Sequence, residues 1–203
     1  MYLIKVPLFI ALFLIGCGSP YVYKNGYKVE KEVDTSDITI ESIQKSPDIQ
    51  KKIIVVDSII DARVAKEIAV KLRYLDGKVK VINLYLTTEG GWLTDAFKVV
   101  DSIKSIQTPV NIYVKDYCKS AGVVILLGAT GKRFAYKDSF IILHFNRDYD
   151  SNNSLSQINT QRFENIYKTR SNIPLSWYPL SGDRIIKLNA LEAKKYSIID
   201  EIL

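Results

Sequence analysis

A chain of 203 residues with 47% hydrophobic and 25% charged residues carries enough apolar material to fold around one substantial core. Its formal charge of +6 is spread out, with Lys alternating with Asp and Glu over 21–52, and neither paired Cys and His ligands nor an aromatic, Gly-rich RNA-binding strand is visible, which excludes a nucleic-acid partner. A single histidine leaves metal catalysis almost unsupported, and no cofactor is expected.

The chain opens MYLIKVPLFIALFLIGCGSP, with Lys5, an apolar run and small residues around Cys17. That is the layout of a secretory signal, and the run is too short for a comfortable membrane span. Leu14-Ile15-Gly16-Cys17 resembles the lipobox of bacterial lipoproteins. The resemblance implies a signal peptide over 1–16, lipid on Cys17 and a membrane-tethered protein of the bacterial cell envelope. Gly18 stands in place of the Asp that retains such proteins at the inner membrane, which implies the outer membrane, facing the periplasm. The plainer alternative is an ordinary signal peptide with an incidental cysteine. If Cys17 is lipidated, Cys118 has no partner for a disulfide and reads as a small buried filler. Residues 17–52 read as a solvated tether, and 53–203 as the folded domain.

From residue 53, short β-branched runs alternate with helical spacing, the pattern of βαβ units and an α/β fold. A strand is expected over 53–56, then a helix capped by Asp61 with Val64, Ile68, Leu72 and Leu75 on one face. Residues 81–86 (VINLYL) form the next strand. After TTEGGW comes a helix presenting Leu93, Ala96, Val100 and Ile103, which stops at Thr108-Pro109. A strand over 110–114 leads through DYCKSAG to an almost wholly apolar helix over 121–129, which must be buried on all sides. Short strands are expected at 134–136 and 139–145, the latter carrying His144. Asn- and Ser-rich DYDSNNS is a loop, 155–170 a polar helix partly outside the core, and Asn189 to Glu192 a capping box near the C-terminus.

Loops leaving the carboxyl ends of parallel strands gather on one edge of the sheet, where ligands bind. TTEGGW and DYCKSAG both leave strands this way. Gly90 and Gly91 permit unusual backbone angles, and Ser120 and Ala121 stand at a helix N-terminus with free amides, so two amides can form an oxyanion hole. A serine nucleophile needs a base, and His144 is the only imidazole. By composition and spacing alone, however, the plainer readings prevail, with Ser120 a helix cap and His144 a core residue.

The order of motifs adds to this. Glu89-Gly90-Gly91, Ser120-Ala121-Gly122, Gly131-Lys132-Arg133, the strand-borne His144 and the closing run from Glu192 to Glu201 together resemble, in order, the proteolytic subunit of the Clp protease (ClpP) and its relatives. The resemblance implies the ClpP/crotonase-type fold of repeated ββα and βαβ units with an outlying helix, and a homo-oligomer. It also implies a serine peptidase: Ser120 as nucleophile, His144 as base and then acid, and the amides of Gly91 and Ala121 as oxyanion hole, with Gly90 and Trp92 against the substrate. The family has Ser-Pro before its two glycines and a small or β-branched residue after them, where Thr88-Glu89 and Trp92 stand here, and the segment after His144 is shorter than the family's, which puts a double ring in doubt. The position of the family's aspartate falls on Ile185, with Asp183 two residues away, so the site is either a triad completed by Asp183 or a Ser-His dyad. Asp183 can equally be a turn residue.

Outside the cytoplasm no ATP-driven unfoldase is at hand, so the expected substrate is a short peptide or unfolded polypeptide admitted without ATP. Alternatives are an inactive relative holding an extended peptide at Gly90-Gly91, a signal peptide peptidase A-like enzyme with Lys132 or Lys137 as base, and a crotonase acting on acyl-CoA. An α/β-hydrolase elbow is spoiled by Cys118, where its first Gly should be.

Overall fold

Residues 21–24, 27–30, 33–144, 154–177 and 185–203 are described by a computed structural model. Residues 1–16, Cys17 and Asp183 lie outside them. Strands β1 (Tyr21–Lys24) and β2 (Tyr27–Glu30) pair antiparallel in a unit that ends at Val33.

The second unit begins at Asp34, inside the stretch expected as tether. Thr39 and Ser42 form a reciprocal cap on α1 (Ile40–Gln44), and Pro47 opens α2 (Pro47–Gln50). Ile38, Ile43 and Ile49 are 7%, 4% and 4% exposed and join the main core. The Asp48 carboxylate accepts Lys71 Nζ at 2.6 Å and the Val55 N–H at 3.2 Å, fastening α2 to the sheet. The folded region therefore starts well before residue 53. Charge alternation hid this, because three isoleucines spaced by polar residues form no continuous apolar run.

Beyond it run β3 (Ile53–Asp57), α3 (Ala62–Leu75), β4 (Ile82–Thr88), α4 (Leu93–Ser105), β5 (Val110–Lys119), α5 (Ala121–Leu127), β6 (Arg133–Ala135), β7 (Phe140–His144) and α6 (Ser154–Arg170). A single 3-10 turn, Leu175–Trp177, precedes β8 (Ile185–Asn189), α7 (Ala190–Lys195) and β9 (Glu201–Ile202). The strands make one seven-stranded sheet in the order β3-β4-β5-β6-β9, with β7 also on β5 and β8 closing antiparallel on β7. All other pairings within it are parallel, giving the α/β fold expected.

Strand residues alternate between two faces. Ile54, Val56, Leu84, Leu86, Ile112, Val114 and Cys118 are at most 4% exposed on the core side. The opposite side carries a stacked row, Tyr85 on Tyr113 at 4.8 Å and Tyr113 on Phe134 at 4.6 Å. Helix α5 is buried along its whole length, as its apolar sequence requires. Helix α6 lies on the same unit: Asn159 donates to Thr94 at 3.1 Å, Arg162 pairs with Asp101 and sits over Phe97, and Arg170 donates to the carbonyls of Leu127 and Ala129.

Candidate active site

Strand β5 creates the site by changing partners. Its first half pairs with β6 over residues 112–114, and its last three residues pair with β7, Lys119 opposite Ile142. Between these, the ladder with β4 slips: Leu86 and Thr88, two apart, face Val114 and Cys118, four apart. A bulge of this kind bends a strand and re-aims the residues beyond it. The strand expected to end at Val114 thus continues to Lys119, and DYCKSAG is mostly strand rather than loop.

Ser120 comes next at φ 49°, ψ −121°, a left-handed backbone that a non-glycine residue adopts only under constraint. Its N–H donates to the Ile142 carbonyl at 2.9 Å, so β7 holds the turn. Although it stands at the start of α5, its hydroxyl makes no capping hydrogen bond. Ala121 is the first residue of the helix, where an N–H has no intrahelical acceptor. Gly122 is required by contact: a Cβ there would lie 2.3 Å from Thr88 Cγ2 and 3.2 Å from Cys118 Sγ. Cys118 itself is fully buried, and burial pushes its thiol pKa up, as a filler requires.

The Gly90-Gly91 turn lies against this elbow. A Cβ on Gly90 would sit 2.8 Å from both the Lys119 carbonyl oxygen and Ser120 Cβ, and 3.2 Å from the Ala121 nitrogen. On the far side, Ile60 donates to the Gly90 carbonyl at 2.7 Å and accepts from Trp92 at 2.8 Å. In that parallel bridge the N–H of Gly91 itself points away from Ile60. Gly90 and Gly91 take φ of 97° and 148°, and Thr88 Oγ1 accepts the Gly90 N–H at 3.0 Å. Trp92 precedes α4 as its cap residue and is partly buried.

His144 ends β7, two residues beyond the Ile142 that holds Ser120, and is partly exposed. Its cross-strand neighbour is Ile185, 64% exposed. The ungapped position of the family aspartate is therefore directly across from the histidine, and an apolar side chain occupies it. Lys132 stands near the opposite end of β5, by Asn111, roughly 25–30 Å from Ser120 at about 3.3 Å per strand residue. It is paired with Glu201, which pushes its pKa up, the wrong direction for a base. Lys137 lies in the turn after β6, bonded to Leu203.

Sequence reasoning alone does not single out Tyr117 and Lys119. Once β5 is extended, both project to the same side as Ile142 and His144, and Lys119 Nζ meets Glu89 Oε2 at 2.6 Å. The signal was present as alternation resuming after Lys115-Asp116.

The sequence of residues 40–203 matches the family model described as Clp protease. The chain is 28% identical over 189 residues to the ATP-dependent Clp protease proteolytic subunit 1 of Rhodopirellula baltica, covering 87% of this chain and 79% of that protein. Among solved structures it is similar to a ClpP1 point mutant from Listeria monocytogenes, with TM-score 0.67 and 21% identity, over 76% of this chain and 92% of the other.

Proposed function

Since the chain belongs to the Clp protease family of serine peptidases, we propose that it hydrolyses peptide bonds of short or unfolded polypeptides, without ATP, by a Ser120–His144 mechanism. Ser120 Oγ attacks the substrate carbonyl carbon while His144 takes its proton. The oxyanion accepts hydrogen bonds from the Gly91 and Ala121 amides, and the protonated His144 then gives its proton to the leaving amine. Water, activated by the same imidazole, releases the acyl group. Gly90 and Trp92 border the substrate, and Asp183 orients His144. We place the enzyme as a homo-oligomer anchored through lipid on Cys17 to the outer membrane, facing the periplasm, with no ATPase partner.

The observation that carries this reading is Ser120: strained, held by β7, beside a glycine turn, with its hydroxyl not used as a cap. The test is labelling of the full-length protein with a fluorophosphonate probe. An adduct on Ser120 that disappears in Ser120→Ala and His144→Ala is expected. Asp183→Ala should slow labelling; an unchanged rate would mean a dyad. Ile185 opposite His144 favours a second reading, a peptide-binding relative with little turnover. Wild-type protein that folds, yet never labels, would establish that one instead.

A further inference from the structure

The β4–β5 ladder ends at Thr88 opposite Cys118, so the next residues outward, Glu89 and Lys119, have no backbone pairing with each other. Glu89 begins the glycine turn, and Lys119 immediately precedes Ser120. Their side chains close the gap with an ion pair of 2.6 Å. Lys119 Nζ also lies 4.7 Å from the centre of the Tyr117 ring, and Tyr117 stacks on Phe140 of β7 at 6.0 Å. Lys119 holds Glu89 below the usual carboxyl range, and desolvation together with the Glu89 charge pushes the Tyr117 phenol up, so all three share one local field.

The turn has two flanks. Ile60 secures one with two backbone hydrogen bonds and Thr88 Oγ1 accepts the Gly90 N–H from within the turn, while across the other flank Gly90 packs against Lys119, Ser120 and Ala121. Resting on the proposed peptidase reading, we propose that Glu89, Lys119 and Tyr117 form a polar clamp that holds the Gly91 amide in register with Ser120, making Glu89 and Lys119 positioning residues for the oxyanion site. A half-exposed ion pair adds little to stability. Its effect lies in geometry, because a misplacement of ~1 Å at a reacting centre can cost about 100-fold in rate.

Glu89→Gln and Lys119→Met should each slow Ser120 labelling and kcat about tenfold, a partial loss of one oxyanion donor, with KM unchanged. Lys119→Arg should retain most of the rate, and the charge swap Glu89→Lys/Lys119→Glu should recover toward wild type. A through-space charge effect would instead move the two single variants in opposite directions, since one removes a negative charge near the oxyanion and the other a positive one. Hydrogen exchange across residues 87–92 reads the clamp without chemistry and should quicken in both single variants. Unchanged exchange, opposite rate effects or failure of the swap each overturn the clamp. Faster exchange in the variants beside an unlabelled wild-type serine would keep the clamp and overturn only the catalytic role of the site.

Discussion

Gly91 bears the tightest steric constraint at the site. A Cβ at this position would lie 2.1 Å from the Ile60 carbonyl oxygen, at a φ of 148° that L side chains avoid. Gly91→Ala should therefore cost about 1–3 kcal/mol through overpacking alone, lowering Tm by roughly 2–12 °C for a domain of this size. Gly77 is the control: φ is 70°, but nothing lies within 4 Å of a Cβ there. Gly77→Ala should carry only the left-handed penalty, of order 1 kcal/mol. Equal shifts in thermal melts of the two variants would contradict the close packing of the turn on Ile60. The glycine pair was legible in the sequence because glycine has few reasons to be doubled before a helix. Its approach to Ser120 was legible too, since both loops leave parallel strands at one sheet edge, but the constrained backbone of Ser120 was not, since it depends on β5 changing partners.

At the scale of elements, α2, β3 and α3 meet around a buried cation. Lys71 has a side chain only 5% exposed and pairs with Asp48 and Glu67, both at 2.6 Å. Removing one partner of such a pair leaves a buried charge uncompensated, so Lys71→Met should cost about 3 kcal/mol. Burial pushes the Asp48 pKa up, yet hydrogen bonds from Lys71, Ser46 and Val55 outweigh it and hold the group below its ordinary value. Asp200 is similar: desolvation raises it, and Arg133 more than reverses that. Both folded pKa values are depressed, so their contribution is complete above the unfolded value near ~3.9 and lost as pH falls through the folded ones. Tm measured from neutral pH down to strong acid should fall in that acid window. In Lys71→Met the fall should be shallower, because Asp48 then gains stability on protonation; an identical profile would refute the coupling.

For the whole molecule, the boundary of the folded unit decides which fragments are stable. Ile38, Ile43 and Ile49 are each worth roughly 1.5–3 kcal/mol on full burial, a large part of the ~5–15 kcal/mol that a typical domain possesses. A chain of residues 34–203 should give a cooperative thermal melt by circular dichroism, whereas 53–203 should melt far lower or fail to fold. Equal melts would show α1 and α2 to be dispensable. Reading α6 from sequence gave its extent, yet only packing revealed that it spends Arg162 and Arg170 on α4 and α5 of its own chain.

Local periodicity was sufficient for the α/β order, the buried α5, the Asp61 cap and the Asn189–Glu192 capping box, because each depends on residues within a turn or two of one another. Motif order was enough to point to the family. Tertiary structure alone decided that β5 runs on through a bulge to Lys119, that Ile185 stands across from His144, and that Glu89 meets Lys119 thirty residues away. These are pairings between strands, and a strand's own alternation does not specify its partner or its register.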